Sequence, residues 1–225
     1  MKAMILAAGR GERMRPLTDN CPKPLLKAGN KPLIEYQIER LIDCDIKELV
    51  INHAWLGDMI EEALGNGDRL GANISYSPEG EALETGGGIT KALPLLGDEP
   101  FWVISSDVWS FVHFDQITLP EDSDIHLLMV GNPEHHQDGD FYLSDQGEIK
   151  KDGEFKLTYS GIGIFSPELF KERKVEKFPL REIITSAIEN NRCSGELYEG
   201  PWFDIGTPAR LAIVEEQLEN GVGFP

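Results

Sequence analysis

Residues Met1 to Lys31 read MKAMILAAGRGERMRPLTDNCPKPLLKAGNK. The run Ala3-Met4-Ile5-Leu6 is short and wholly apolar, which predicts a strand buried on both faces. It passes into Ala7, Ala8, Gly9 and Gly11, small residues that let a ligand approach the backbone closely. Arg10, Arg13 and Arg15 follow at once. Lys23 lies between Pro22 and Pro24, whose fixed φ angles limit where its ammonium can move. Free backbone amides beside fixed cations suit a polyphosphate.

The charge distribution supports that expectation. Met1 to Lys31 holds seven Lys and Arg against two Asp and Glu, a net of +5, while the whole chain has a net charge of −18. An acidic chain repels nucleic acid and anionic membrane, so a basic segment confined to a glycine turn implies a small anionic ligand rather than a long polyanion. A basic surface loop is the plainer alternative for the same residues.

At 225 residues the chain can form one domain, 1–225, that buries most of its apolar surface. Cys21, Cys44 and Cys193 are odd in number and widely spaced, without a CxxC pattern, which disfavours a disulfide framework and a zinc site. The N-terminus lacks the apolar core of a signal peptide, and no window approaches the ~18 apolar residues of a membrane span. A soluble, cytoplasmic protein, monomeric and without membrane or nucleic-acid partners, is therefore expected.

Downstream, Ile34, Ile38, Leu41 and Ile42 form an apolar helical stripe after Pro32, and Leu49-Val50-Ile51 reads as a second buried strand. A helix carrying Leu56, Ile60 and Leu64 should stop at Gly65 and Gly67, and Asn73 to Ser77 alternates like a third strand. Pro78 to Gly88 reads as a glycine-rich loop before a helix from about Ile89 to Leu96, and Phe101 to Ile104 as a fourth strand. This β-α-β-α-β-α-β series predicts an α/β fold, a Rossmann-like, mainly parallel sheet with helices on both faces and a ligand at the strands' carboxyl ends. Further strands are expected at Ile125 to Val130 and Lys156 to Phe165, with a hairpin turn at Asp145-Gln146-Gly147. Pro179 to Asn190 should be a helix, and a last helix should begin with Thr207 as its cap and Pro208 at its first position. The tail from Gly221 to Pro225 is expected to fray.

Two familiar phosphate motifs are missing. Met14 stands where a dinucleotide fingerprint needs its third glycine, and no GxxxxGK[ST] occurs. The five histidines show neither HxH nor HExxH spacing, and His135-His136, in a polar stretch, is expected to be solvated. Asp107 and Asp204 both fall at the expected carboxyl edge of the sheet. Each alone could cap a turn, but together they suit Mg²⁺, which takes one or two carboxylates plus phosphate oxygens and water.

The opening segment as a whole resembles the nucleoside-triphosphate:sugar-1-phosphate nucleotidyltransferases, through Leu6-Ala7-Ala8-Gly9-x-Gly11-x-Arg13-Met14-x-Pro16-Leu17-Thr18 and Pro22-Lys23-Pro24-Leu25. Further matches lie at Glu84-Thr85-Gly86-Gly87, Asp107 and Trp202 to Pro208, so the resemblance covers essentially the whole chain. It implies a nucleotide site built by Leu6, Ala7, Gly9, Gly11, Glu12, Arg13, Lys23, Thr85 and Gly86, with Arg13, Lys23 and Asp107 catalytic and Mg²⁺ on Asp107 and Asp204. Residues 1–110 would be the nucleotide half and 111–225 the sugar-phosphate half. Many relatives carry a C-terminal β-helix, for which this chain is too short. Ile51 to Gly57, Tyr76 to Gly80 and Leu83 to Gly88 look most like the branch that uridylylates N-acetylmuramate 1-phosphate in cell-wall sugar recycling. That likeness implies UTP and a sugar 1-phosphate as partners, with Ser105, Asp140, Glu154 and Tyr159 around the sugar. Ser105-Ser106 departs from the Asn-Gly expected in that branch.

The reaction implied is attack of a sugar-phosphate oxygen on the α-phosphorus of UTP. Mannose or glucose 1-phosphate, with GTP or UTP, is the alternative within the class. A glycosyltransferase would usually need an acidic pair where the chain has Ser105-Ser106-Asp107, and a non-catalytic nucleotide-sugar binder would have no use for Arg13, Lys23, Asp107 and Asp204 together. Ser105, Asp140 and Glu154 include no cation, so the lactyl carboxylate of a muramate is expected to stay solvated.

Overall fold

The structure is a computed structural model that describes residues 1–219. The tail for which fraying is expected lies outside them. Strand β1 (Lys2–Leu6) runs through the middle of a nine-stranded sheet. Its apolar residues serve both faces: Ala3 and Ile5 join one core cluster and Met4 the other.

A small hairpin, β2 (Lys27–Ala28) with β3 (Lys31–Pro32), leads into α1 (Leu33–Asp43). Then come β4 (Glu48–His53), α2 (Gly57–Leu64), β5 (Asn73–Pro78), α3 (Glu84–Leu96) and β6 (Phe101–Ser105). The order β5-β4-β1-β6 is parallel throughout. Ile34, Ile38 and Leu41 of α1 and Ile60 of α2 pack with Ile5, Ile51, Trp102 and Ile104. Ile89 and Ala92 of α3 pack on the opposite face with Met4, Val50 and Val103. Alternate side chains of one strand thus feed two cores, which is why these strands read as unbroken apolar runs.

The second half comprises β7 (Val108–Ser110), β8 (Ile125–Val130), β9 (Phe141–Leu143), β10 (Ile149–Lys150) and β11 (Lys156–Phe165). After these come α4 (Glu168–Lys171), α5 (Leu180–Glu189), β12 (Cys193–Leu197), β13 (Trp202–Asp204) and α6 (Pro208–Glu219). The long strand β11 joins the halves: it pairs antiparallel with β6 on one side and with β8 on the other, and its first residues also pair with β9. Strand β12 then adds parallel to β8. The result is a mixed sheet with a parallel centre. Among the described residues no helix is long and apolar enough to cross a membrane, and the three cysteines are free.

Two local outcomes differ from the expectations above. Helix α3 begins at Glu84 rather than near Ile89, so Gly86, Gly87 and Gly88 are helical. Each glycine inside a helix costs about 1 kcal/mol relative to alanine, but here close packing overrides propensity. A Cβ on Gly86 would strike the Phe178 ring, one on Gly87 the Glu176 carbonyl, and one on Gly88 the Glu79 carboxylate. The glycines let the helix lie directly on its neighbours. The second difference is the β7–β13 pair, which carries Asp204 to the position opposite Val108. At the start of α6 the expected cap forms, with the Arg210 N–H donating to Thr207 Oγ1 at 3.3 Å.

Candidate active site

A cavity of about 430 Å³ opens where β1 and β6 end, beside the first turn of α3. Leu6, Ala7, Gly9, Gly11, Glu12, Arg13, Lys23, Thr85, Ser105 and Asp107 all line it. Gly11 has φ +68° and begins a short 3₁₀ turn at Glu12–Met14, a conformation that favours glycine. Gly9 has a different reason. A Cβ there would meet no protein atom within 4 Å, so the surrounding packing does not demand a glycine, whereas a ligand pressed against that backbone would.

The three N-terminal arginines separate by task. Arg10 donates to the Thr18 carbonyl at 2.7 Å and to Asp19 Oδ1 at 3.1 Å, and its guanidinium stacks 3.9 Å from the Trp55 ring centroid. Arg15 also donates to Asp19, at 2.8 Å. Both hold the loop shut and neither lines the cavity. Arg13 does line it, and among the described residues its guanidinium has no ion pair or hydrogen bond. In the same cavity, Lys23 Nζ donates to Asp107 Oδ2 at 2.5 Å.

The cavity floor rests on a buried polar relay. The Ala7 N–H donates to Asn52 Oδ1 at 3.0 Å, Asn52 Nδ2 donates to Glu79 Oε1 at 2.6 Å, and the Leu83 N–H donates to Glu79 Oε2 at 2.7 Å. Asn52 and Glu79 are nearly inaccessible to water. They tie the end of β1 to the residue before α3, fixing two walls relative to each other. Nothing in local sequence marks them for this, because their partners are 45 and 27 residues distant.

A family model described as nucleotidyl transferase matches residues 2–138. The chain belongs to the nucleotidyl transferase family. It is 49% identical over 222 residues, 94% of its length and 95% of the relative's, to the N-acetylmuramate alpha-1-phosphate uridylyltransferase of Neisseria meningitidis. To the Caulobacter vibrioides protein of the same name it is 34% identical, with 96% of each chain covered. A solved UDP-glucose pyrophosphorylase in complex with UDP-glucose shares the fold, with a TM-score of 0.79 at 22% identity over 98% of this chain and all of that one.

In this nucleotidyl transferase the carboxylates of Asp107 and Asp204 sit at one end of the β7–β13 pair. The Ile205 N–H donates to the Asp107 carbonyl at 2.7 Å, and both aspartates line a cleft that continues from the cavity through Arg13 and Ser105. Asp204 also accepts from Arg210 Nη1 at 2.7 Å and lies 3.3 Å from His135 Nε2. Among the described residues no third acidic or imidazole group completes a metal cage. Two carboxylates of hard oxygen beside a phosphate-sized space fit Mg²⁺, which keeps water and phosphate oxygens among its ligands.

A second cleft of about 200 Å³ branches off at Leu6, Thr85 and Ser105 and takes in Asp140 and Tyr159. Asp140 Oδ2 accepts from the Tyr159 N–H at 3.0 Å and lies 3.3 Å from His136 Nε2. The Tyr159 hydroxyl is buried and, among the described residues, has no hydrogen-bond partner, and burial pushes its pKa well above the usual range.

Three expectations change here. Glu154 is exposed in the turn between β10 and β11 and lines neither the cavity nor its branches. Gly86 is packed under Phe178, with its N–H donated to the Phe178 carbonyl at 3.0 Å, and supports Thr85 from outside the lining. His135 and His136 are half-exposed on the cleft wall, with His135 Nε2 against Arg210 Nη1 and His136 Nε2 3.3 Å from Asp140. Arg181, which the sequence does not single out, lies on the second cleft and changes its charge.

Proposed function

We propose that the chain transfers the uridylyl group of UTP to N-acetylmuramate 1-phosphate and releases pyrophosphate. Support for these substrates comes from two relatives of that name that match over nearly their whole length. The observation that carries the chemistry is Lys23 beside Asp107 on the wall of a cavity that Arg13, unpaired among the described residues, also lines.

A phosphate monoester has its second pKa near ~6, so the sugar phosphate is largely ionised at neutral pH and needs no general base. The difficulty is to bring two anions into line. Lys23 contacts both reacting phosphates and lowers their repulsion, while Arg13 takes the charge that develops on pyrophosphate as the α-phosphorus bond to it breaks. Asp107 and Asp204 would hold Mg²⁺, which would supply positive charge to offset that of the phosphates. The backbone of Leu6 to Gly9 lies against the nucleotide, and Thr85 borders it. Ser105, Asp140 and Tyr159 bind the sugar from the second cleft.

The test is kcat/KM across UTP, GTP and dTTP, each paired with the 1-phosphates of N-acetylmuramate, N-acetylglucosamine, mannose and glucose. The muramate with UTP should give the highest value. A higher value for GTP with mannose 1-phosphate would replace this reading with a guanylyl transfer.

A further inference from the structure

Among the residues that line the second cleft, Arg181 is the single cation. Its guanidinium lies 5.1 Å from the centroid of the Phe141 ring, and its Nη1 donates to Asp140 Oδ1 at 3.3 Å. An arginine carries five N–H donors in a planar fork, so this one long bond leaves most of its capacity unused. The ring and the carboxylate both neighbour the group while the side chain stays 62% exposed.

Its position in the fold is also unusual for a cation. Arg181 is the second residue of α5, which starts at Leu180 after Pro179. The first turn of a helix carries partial positive charge, so an acidic residue is favoured there and an arginine is not. Glu182 in the same turn and the Leu180 N–H bond to Thr85 Oγ1 already answer the helix end, so Arg181 itself is the group that draws an anion to this corner. Asp140 only partly answers that charge, since its other oxygen already accepts the Tyr159 N–H.

The cleft thus has two anion-binding regions. The phosphate of the sugar belongs with Lys23 and Arg13 in the main cavity, and Arg181 stands on the branch that leaves it at Ser105. The geometry points to Arg181 as the residue that reads a carboxylate on the sugar. This rests on the muramate reading above, because the lactyl ether supplies that carboxylate and N-acetylglucosamine 1-phosphate lacks it. Selection of the acidic sugar then comes from a charge-assisted pair as well as from fit.

The experiment compares kcat/KM for N-acetylmuramate 1-phosphate and N-acetylglucosamine 1-phosphate, both with UTP, in the wild type, Arg181→Gln and Arg181→Lys. A part-exposed charge-assisted bond is worth about a factor of ten. Arg181→Gln should lower the muramate value about tenfold, leave the glucosamine value within threefold, and be partly rescued in Arg181→Lys. The methyl ester of the muramate substrate should lose about the same factor with the wild type and little with Arg181→Gln. Equal losses on both sugars, or no loss on either, would overturn the inference and leave the muramate reading standing. If the wild type turns over other sugar phosphates but not the muramate, the muramate reading itself fails and the inference falls with it.

Discussion

Lys23 Nζ and Asp107 Oδ2 are 2.5 Å apart although 84 residues separate them in the chain, and both side chains are mostly shielded from water. The ammonium is placed on the cavity wall by the Pro22–Pro24 turn, and the carboxylate by the end of β6. A cation held in place before substrate arrives needs little reorganisation as charge shifts in the transition state. Lys23→Ala should lower kcat by about 10²-fold or more with a smaller effect on KM for either substrate. A steady-state rate within threefold of wild type would exclude contact with both phosphates.

Asp204 pairs opposite Val108, the Ile205 N–H beside it reaches the Asp107 carbonyl, and the two aspartates should act on one ion. Asp107→Asn and Asp204→Asn should each raise the Mg²⁺ concentration needed for half-maximal rate, and the double variant should be hardly slower than the worse single one. EDTA should abolish turnover in the wild type. Losses that multiply in the double variant would assign the two carboxylates separate tasks.

Gly9 and Gly86 should respond oppositely to the same methyl group. A Cβ at Gly9 meets open space, so Gly9→Ala should leave the melting temperature nearly unchanged while KM for UTP rises about tenfold or more. A Cβ at Gly86 meets the Phe178 ring, so Gly86→Ala should cost about 1–3 kcal/mol of stability through overpacking. Thermal melts with matched UTP kinetics check both. Destabilisation by Gly9→Ala would mean that its space serves the fold.

Asn52→Leu would leave the Ala7 N–H and one Glu79 oxygen unpaired in a nearly water-free site. A loss of about 1–3 kcal/mol is expected in denaturant unfolding, together with weaker nucleotide binding. Unchanged binding of UTP in a destabilised variant would confine the relay to structure.

Much of this site can be read locally. The strand at Ala3 to Leu6 and the small residues after it announce themselves by composition, and β11 spans Lys156–Phe165 as its β-branched and aromatic run suggests. Lys23 is marked by its flanking prolines. What stays hidden depends on distant partners. The glycines of α3 look like a loop until Phe178, Glu176 and Glu79 are seen against them. Arg10, Arg13 and Arg15 look equivalent, yet Asp19 takes two of them and leaves one for the cavity. Arg181 is one more charge at the start of an amphipathic helix until the fold sets it beside Asp140 and Phe141. Long side chains choose partners only once tertiary structure exists, and strands as short as β7 and β13 find their register only through the elements that flank them.

The proposed reaction is a single displacement in which the sugar phosphate attacks the α-phosphorus of UTP. The most direct measurement follows pyrophosphate and labelled UDP-sugar together, starting from UTP carrying label at the α-phosphate, with and without N-acetylmuramate 1-phosphate. One pyrophosphate should form for each labelled UDP-N-acetylmuramate, and none when the sugar phosphate is omitted. Release of inorganic phosphate instead, or pyrophosphate formed without the sugar phosphate, would rule out a direct displacement by the sugar phosphate.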